Sequence, residues 1–560
     1  MPIKLLKILG KKWLRKYIIL MFGLSLASLL EVLSIITVYP FLKKLISSNE
    51  NNLNSEYFSI QNLSLVFCLI VVTSALFRIY INKFQGRVGF GIGEEISDRI
   101  YKNLIYSDYH DYENMGIDRF VTSILKKSDI IAQQHILPYL NLFVNTLICI
   151  GIAIILIYIN LVISFYIFLF IGICYSTISL INREKIINSG KLVSRCLSSI
   201  NQILNITYEG FIENKIYRNE KFFQSKFELL NKELNENLRK IDFLRIYPRF
   251  LIESLGVVFL CLMGYYLLLN GERMDVILPM LGTVAFSAQR MIPSAQQIYY
   301  SWSAIKSSKY ICEEIIDYLK IKQEDLSDEI YPLQHIEKIH FENVKYKFEG
   351  ESNSILHNIN FRFKKGERIG IIGQSGSGKS TLLRLLIGIL NPSSGKITLN
   401  QGINLSENKR FLWSRISYIS QKMTLFPGTI ADNIAPELAS IHQSMSRIEN
   451  AAKSAKISSF VEGLPCKYQT KVGGSSFLPS PGQIQRIILA RALYREPEIL
   501  ILDEFTSALD ASTEIAIISE ILDLFKDKSI LMVSHKKSTL NLCDKVYVIK
   551  DGNIELLYEK

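Results

Sequence analysis

Apolar runs of about twenty residues recur before residue 300 and then stop. A helix rises about 1.5 Å per residue, so such a run matches the roughly 30 Å hydrocarbon core of a bilayer. Six candidate spans follow: 17–40, 62–82, 137–159, 161–182, 248–270 and 275–300. Beyond about residue 336, short apolar strands alternate with polar helices, the pattern of a soluble α/β domain. The expected fold class is therefore an α-helical membrane domain followed by a soluble α/β domain. Its divisions are a membrane domain at 1–305, a charged linker at 306–335 and the α/β domain at 336–560.

The formal net charge of +12 raises nucleic acid as a partner, but the placement of the charge argues against it. Lys4, Lys7, Lys11, Lys12, Arg15 and Lys16 all precede the first apolar run, as a cytoplasmic N-terminus requires of a multi-pass membrane protein. That run is too long for a signal peptide and contains Glu31, so it reads as a retained span. The eight cysteines are scattered with no CxxC spacing, which excludes a disulfide framework or zinc site as the organising element.

The segments 83–136 and 183–247 are long, polar and patterned as helices. They read as membrane helices that continue into the cytosol and turn back, with tips near Tyr112–Phe120 and Tyr208–Tyr217 free to press on a soluble domain.

The chemistry lies in the last third. "GQSGSGKST" follows the strand "RIGII" and precedes an apolar helix, the strand–loop–helix setting of a phosphate-binding loop. Gly373, Gln374, Ser375, Gly376, Ser377, Gly378, Lys379, Ser380 and Thr381 are its candidate ATP ligands. Glycines let backbone N–H groups curl round phosphate oxygens, Lys379 reaches the β/γ-phosphates, and the Ser380 hydroxyl ligates Mg²⁺. A second strand, "EILILDE", ends on Asp503, a metal-holding carboxylate, and Glu504, a base for the attacking water. His535 closes a third strand, "SILMVSH", in place to contact the γ-phosphate.

The order of these pieces resembles the ATPase domain of ABC transporters, and with six preceding spans the whole chain resembles an ABC exporter half-transporter of the type IV architecture. The resemblance implies that Gln421 in "YISQKMTLFPGTI" links metal and γ-phosphate to the membrane domain, that "SALD" at Ser507–Asp510 is the D-loop, and that Phe348 stacks on adenine. It aligns "PSPGQ" with the LSGGQ signature that caps ATP on the opposite subunit, which makes Ser480, Gly482 and Gln483 further ATP ligands. Pro479 and Pro481 depart from that pattern, and Gly474 stands where the family usually carries an acid. Proline at 481 removes one backbone donor but is tolerated in a helix's first turn, whose N–H is free anyway. Because one chain holds only half of each composite ATP site, the resemblance implies a homodimer with ATP and Mg²⁺ as cofactors.

Ionisable residues inside spans are costly and therefore informative. Glu31, Arg78, Glu253 and Arg290 lie within or at the ends of spans. Arg290 has two open readings: recognition of an anionic headgroup, or internal pairing, for instance with Glu253. "YPRFLIESLG", "RMIPSAQQI" and the Glu31 span resemble bacterial flippases of lipid-linked oligosaccharides. That resemblance implies Arg78 and Arg290 as substrate contacts, an amphiphilic lipid-linked or lipid substrate, contact with membrane lipids, and a bacterial inner-membrane location with the ATPase domain in the cytoplasm. Two alternatives stand beside it: an exporter of another lipid or of a peptide, and a nucleotide-gated regulator that does not turn ATP over.

Overall fold

The computed structural model describes the chain except residues 1, 38–59, 160, 270–273, 324–334, 349–352, 401, 422, 437–443, 475–476, 506–510, 527 and 535–539. It divides into two compact units, Met1–Glu324 and Asp325–Lys560.

The first unit is all helical. A short amphipathic helix, α1 (Pro2–Leu9), buries Leu5, Leu6 and Leu9 and ends at Gly10, whose φ of 105° suits glycine. The carbonyls of Ile8 and Leu9 left over at its end accept from the Arg99 guanidinium at 2.7 and 2.6 Å. Long helices follow: α2 (Lys11–Ile36), α3 (Ile60–Ile105), α4 (Leu137–Ile159), α5 (Leu161–Glu209), α6 (Glu220–Leu269) and α7 (Met274–Ser307). Each carries one expected span. Five of the six hold described stretches long and apolar enough to cross a membrane. At 50 residues α6 is about 75 Å long, more than twice the hydrocarbon thickness, so much of it must lie outside lipid. Helix α3 turns Leu65, Leu69, Val72 and Leu76 outward, an exposed apolar stripe that a bilayer would cover.

Pro248 stands inside α6, where it cannot donate to the Leu244 carbonyl four residues back. The Tyr299 hydroxyl donates to that carbonyl instead, at 3.0 Å, so α7 repairs the gap in α6. Helices α5 and α7 meet closely at Gly190, where a Cβ would stand 2.2 Å from the Ser307 carbonyl oxygen. The two long turns carry short helices, Tyr109–Met115 and Ile117–Thr122 in one and Phe211–Ile216 in the other. Tyr208, Phe211, Ile212, Ile216 and Tyr217 are exposed at the second tip.

The expected linker at 306–335 needs correction in its first half. Lys309–Leu319 forms a helix, α8, whose Ile311, Cys312, Ile315, Ile316 and Leu319 are buried in one core with α1 and with Ile92, Ile96 and Ile100 of α3. Asn103 donates to the Tyr318 and Leu319 carbonyls at its C-terminus. The acids between those apolar positions made the segment look like a charged connector, although their spacing is that of an amphipathic helix. The rest of that expectation, residues 324–334, lies outside the described residues.

The second unit holds two sheets. The antiparallel one runs β2 (Leu356–Lys364), β1 (Lys338–Tyr346), β4 (Ser394–Leu399), β5 (Ile403–Asn404). The other has the order β12 (Asn553–Glu559), β11 (Lys545–Lys550), β3 (Arg368–Gly373), β10 (Ser529–Val533), β9 (Ile499–Asp503), β6 (Ile416–Ile419). Strands β11, β3, β10, β9 and β6 are parallel and only β12 is reversed. Strands β9 and β10 are buried almost throughout, as the centre of a parallel sheet demands. A small pair, β7 (Gly428–Thr429) and β8 (Lys471–Val472), stands apart.

Candidate functional site

In a parallel sheet, ligands gather at the carboxyl ends of the strands. Strand β3 ends at Gly373, and the loop Gln374–Gly378 leads into helix α9 (Lys379–Leu386). Gly376 (φ 80°) and Gly378 (φ 101°) adopt left-handed backbone, and a Cβ on Gly378 would stand 2.7 Å from Leu356 Cδ2. A Cβ on Gly373 would fall 2.6 Å from the Ile549 carbonyl. The loop is therefore a bare backbone cradle by necessity. Gly373 to Ser377 form one wall of a cleft of 1050 Å³, opposite Val548–Gly552 and Ser354–His357.

The cradle fits a phosphate chain. The Ser377 hydroxyl is buried without a partner among the described residues, and nothing lies within 4 Å of the Cβ position of Gly376. Lys379, 6% exposed, folds back so that Nζ donates to the Gly373 and Gln374 carbonyls, each at 2.8 Å. Burial pushes its pKa down, against the pull of Glu504 and Asp503. A phosphate arriving here would restore the charge compensation that loop carbonyls supply only in part. Ser380 and Thr381 follow in the first turn of α9.

Strand β9 delivers Asp503 beside this loop. Its carboxyl is pushed up chiefly by burial and also by Glu504, while a hydrogen bond from the Tyr418 hydroxyl at 2.8 Å opposes the shift. A divalent cation would supply the missing positive charge. Glu504 has φ 47°, uncommon for a non-glycine residue, and is anchored by its own N–H donating to the Val533 carbonyl at 3.1 Å. That turn aims its side chain at Gln421, whose Nε2 donates to Glu504 Oε2 at 2.7 Å. Gln421, Glu504, Asp503 and Lys379 thus converge, although they come from three separate stretches of chain.

Tyr418 escaped the reading of the sequence. Its signal is weak, a phenol three residues before Gln421 on the last strand of the sheet, and only the pairing of β6 with β9 brings it to Asp503. Phe348 packs edge-on against Tyr346, with ring centroids 5.2 Å apart, and does not line the cleft. His535 and the 507–510 segment lie outside the described residues.

Ser480 is the N-cap of helix α10 (Pro481–Tyr494), and Pro481 occupies the first helical position. Ser480 and Gln483 form a capping box: the Gln483 N–H donates to Ser480 Oγ at 3.4 Å, and the Ser480 N–H donates to Gln483 Oε1 at 2.8 Å. The helix start is thus well formed around the proline. Gly482 has no atom within 4 Å of its Cβ position. Gly473 and Gly474 both have positive φ (81° and 59°).

In the membrane unit, Arg78 and Arg290 meet on one acid. Arg78 Nη1 donates to both Glu31 oxygens at 2.8 and 2.7 Å, and Arg290 Nη1 donates to Glu31 Oε1 at 3.2 Å. Glu253 instead pairs with Arg249 one turn away, at 2.7 Å, so the Arg290–Glu253 pairing considered above does not occur. Both arginines reach Glu31 on α2, whereas Glu253 finds a cation on its own helix.

Residues 356–507 match the ABC transporter family model. ABC transporter B family member 29, chloroplastic, of Arabidopsis thaliana is 29% identical over 330 residues, 58% of this chain and 51% of that protein. This chain therefore spans about half the length of that curated relative. An ATP-dependent lipid A-core flippase of Haemophilus ducreyi is 26% identical over 465 residues, 81% of this chain and 78% of its own. Among solved structures, a bacterial Atm1-family ABC exporter with ATP bound superposes with a TM-score of 0.80 over 97% of this chain and 95% of its own, at 19% identity. Long helices followed in sequence by this P-loop sheet give the chain the fold of that exporter, a helical membrane domain and then an α/β domain that matches the ABC transporter model.

Proposed function

We propose that the chain works as a homodimer that uses ATP to export or flip an amphiphilic, anionic, lipid-linked substrate, most specifically a lipid-linked oligosaccharide, out of the cytoplasmic leaflet of a bacterial inner membrane. Mg²⁺ would be held by Ser380, Asp503 and Gln421, with Glu504 as base and His535 at the γ-phosphate. The signature around Ser480, Gly482 and Gln483 would close over ATP on the partner subunit. The tips near Tyr112–Phe120 and Tyr208–Tyr217 would carry that closure to the membrane helices.

The observation that carries the substrate class is the grouping of Arg78 and Arg290 on the single carboxylate of Glu31. Two guanidiniums against one acid leave a net positive charge among the membrane helices, and both arginines are partly open, at 47% and 39%. Such a pair favours a phosphate or pyrophosphate headgroup, which a guanidinium grips with parallel hydrogen bonds. The lipid A-core flippase likeness supports the same class. Replacing Arg290 by Ala removes one charge-assisted contact worth about 1.5–3 kcal/mol, or roughly 10–100-fold in apparent affinity. Stimulation of ATP turnover by a pyrophosphate-linked lipid in proteoliposomes is expected to need that much more lipid, with basal turnover within about twofold. Equal loss of stimulated and basal turnover would make the arginine structural and remove this substrate class.

Pro481 favours a second reading, a nucleotide-gated regulator that binds ATP without turnover. The capping box around it supports the first reading, because the helix start that would face phosphate is intact. Pro481→Gly restores one N–H at the first helical position and is expected to raise ATP turnover about two- to tenfold. A rate that is unchanged or lower counts against the proline as a brake.

A further inference from the structure

A further cavity, of 810 Å³, lies in the helical unit. It is an open cleft lined by α5, by the π-helical turn at Ser123–Lys127, by the short helix Ile117–Thr122 and by α8. Its charged side chains are Arg119, Lys127, Arg195 and Glu314, three cations against one acid.

The acid is already committed. Lys127, 1% exposed, donates from Nζ to Glu314 Oε1 at 2.5 Å, and a buried ammonium requires such a partner. Tyr318 donates to the same oxygen at 3.4 Å, and Ser194 donates to Oε2 at 3.5 Å. The remaining groups are not committed. Among the described residues, the side chains of Arg119, Arg195, Ser199 and Gln202 have no hydrogen-bond or ion-pair partner, yet all four line the cavity. Two forked guanidiniums, a hydroxyl and an amide facing one polar space form a set of donors suited to an anion with several acceptor oxygens.

Depth decides what kind of anion. Ser198 lies about sixteen residues, or roughly 24 Å, beyond the expected cytosolic end of its span at 182. Lys127 lies about ten residues, or roughly 15 Å, before the span that opens at 137. Lipid headgroups extend only about 5–8 Å beyond the hydrocarbon on each side, so the cavity is out of their reach. Its volume is that of a small-molecule site.

We propose that this cavity binds a soluble phosphorylated small molecule, gripped by Arg119 and Arg195 over the Lys127–Glu314 pair. Glu314, Tyr310 and Tyr318 all stand on α8, the last helix before the ATPase unit begins in sequence. The ligand would tie α8 to α5 and to the tip helix Ile117–Thr122. The proposal is independent of the transported substrate.

The test titrates pyrophosphate calorimetrically into full-length detergent-purified protein. Lys379→Ala is present throughout, to weaken the nucleotide cleft. Binding is expected to weaken at least tenfold when Arg119→Gln and Arg195→Gln are added; both side chains are exposed and should leave the fold intact. Arg195→Lys alone, which keeps the charge, should retain most of the affinity. The rise in unfolding temperature with pyrophosphate should shrink when both arginines are replaced. Identical titrations with and without the arginines would overturn the proposal. Arginine-dependent binding to phosphatidylglycerol vesicles with no response to pyrophosphate would overturn it too, because a lipid headgroup would then be the ligand.

Discussion

Glu504→Gln is expected to lower ATP turnover by about 10²–10⁴-fold, the usual contribution of a positioned general base. The amide keeps the shape and can still accept from Gln421, whose Nε2 now lies 2.7 Å from Glu504 Oε2. The left-handed turn at residue 504 and its bond to the Val533 carbonyl belong to the backbone and survive the change. Only the ability to take a proton from water is lost. Nucleotide binding should persist, since the cradle Gly373–Gly378 and Lys379 are untouched. Phosphate release and nucleotide retention, measured on the same preparation, separate these effects. Residual turnover above a tenth of the native rate would assign the base elsewhere, and the proposed hydrolysis chemistry would fall with it.

Glu31→Ala is expected to destabilise the membrane helices. It leaves Arg78 and Arg290 facing each other without the carboxylate they share. Breaking a buried pair on one side costs about 3–5 kcal/mol, and the partial exposure of both arginines brings this down to about 2–3 kcal/mol. A lower unfolding temperature in detergent is the readout. Adding Arg78→Ala should recover part of the loss, because it removes one of the stranded cations. If the two substitutions combine additively to within about 0.5 kcal/mol, the residues are not coupled and the triad is incidental. The same triad explains why substitutions here must be read on two axes, stability and lipid stimulation: Glu31 compensates the charge that a headgroup would otherwise meet.

Much of this molecule could be read locally. A membrane span needs only a run of apolar residues, and a P-loop needs only glycines and a lysine between strand and helix. Both signals lie within about twenty consecutive residues, so they survive without knowledge of neighbours. The first turn of α10 was legible for the same reason, since Pro481 and the Ser480–Gln483 capping box lie within four positions. Helix α8 was missed because its acids masked an apolar stripe whose partners, α1 and α3, lie some 200 to 300 residues earlier.

Pairings over long distances were decided by packing. Glu31 is 47 positions from Arg78 and 259 from Arg290, and Tyr418 is 85 from Asp503. An ion pair has no sequence period: any acid at similar depth satisfies the same electrostatic need, and Glu253 was as good a candidate on paper. Residue types and local spacing already mark the candidate phosphate loop, because its left-handed turns fall on glycines. Which carboxylate holds the membrane arginines, which phenol holds Asp503, and where a second basic cavity opens follow only from how helices and strands stack. Those choices depend on side chains meeting in space, and the chain order carries no record of that.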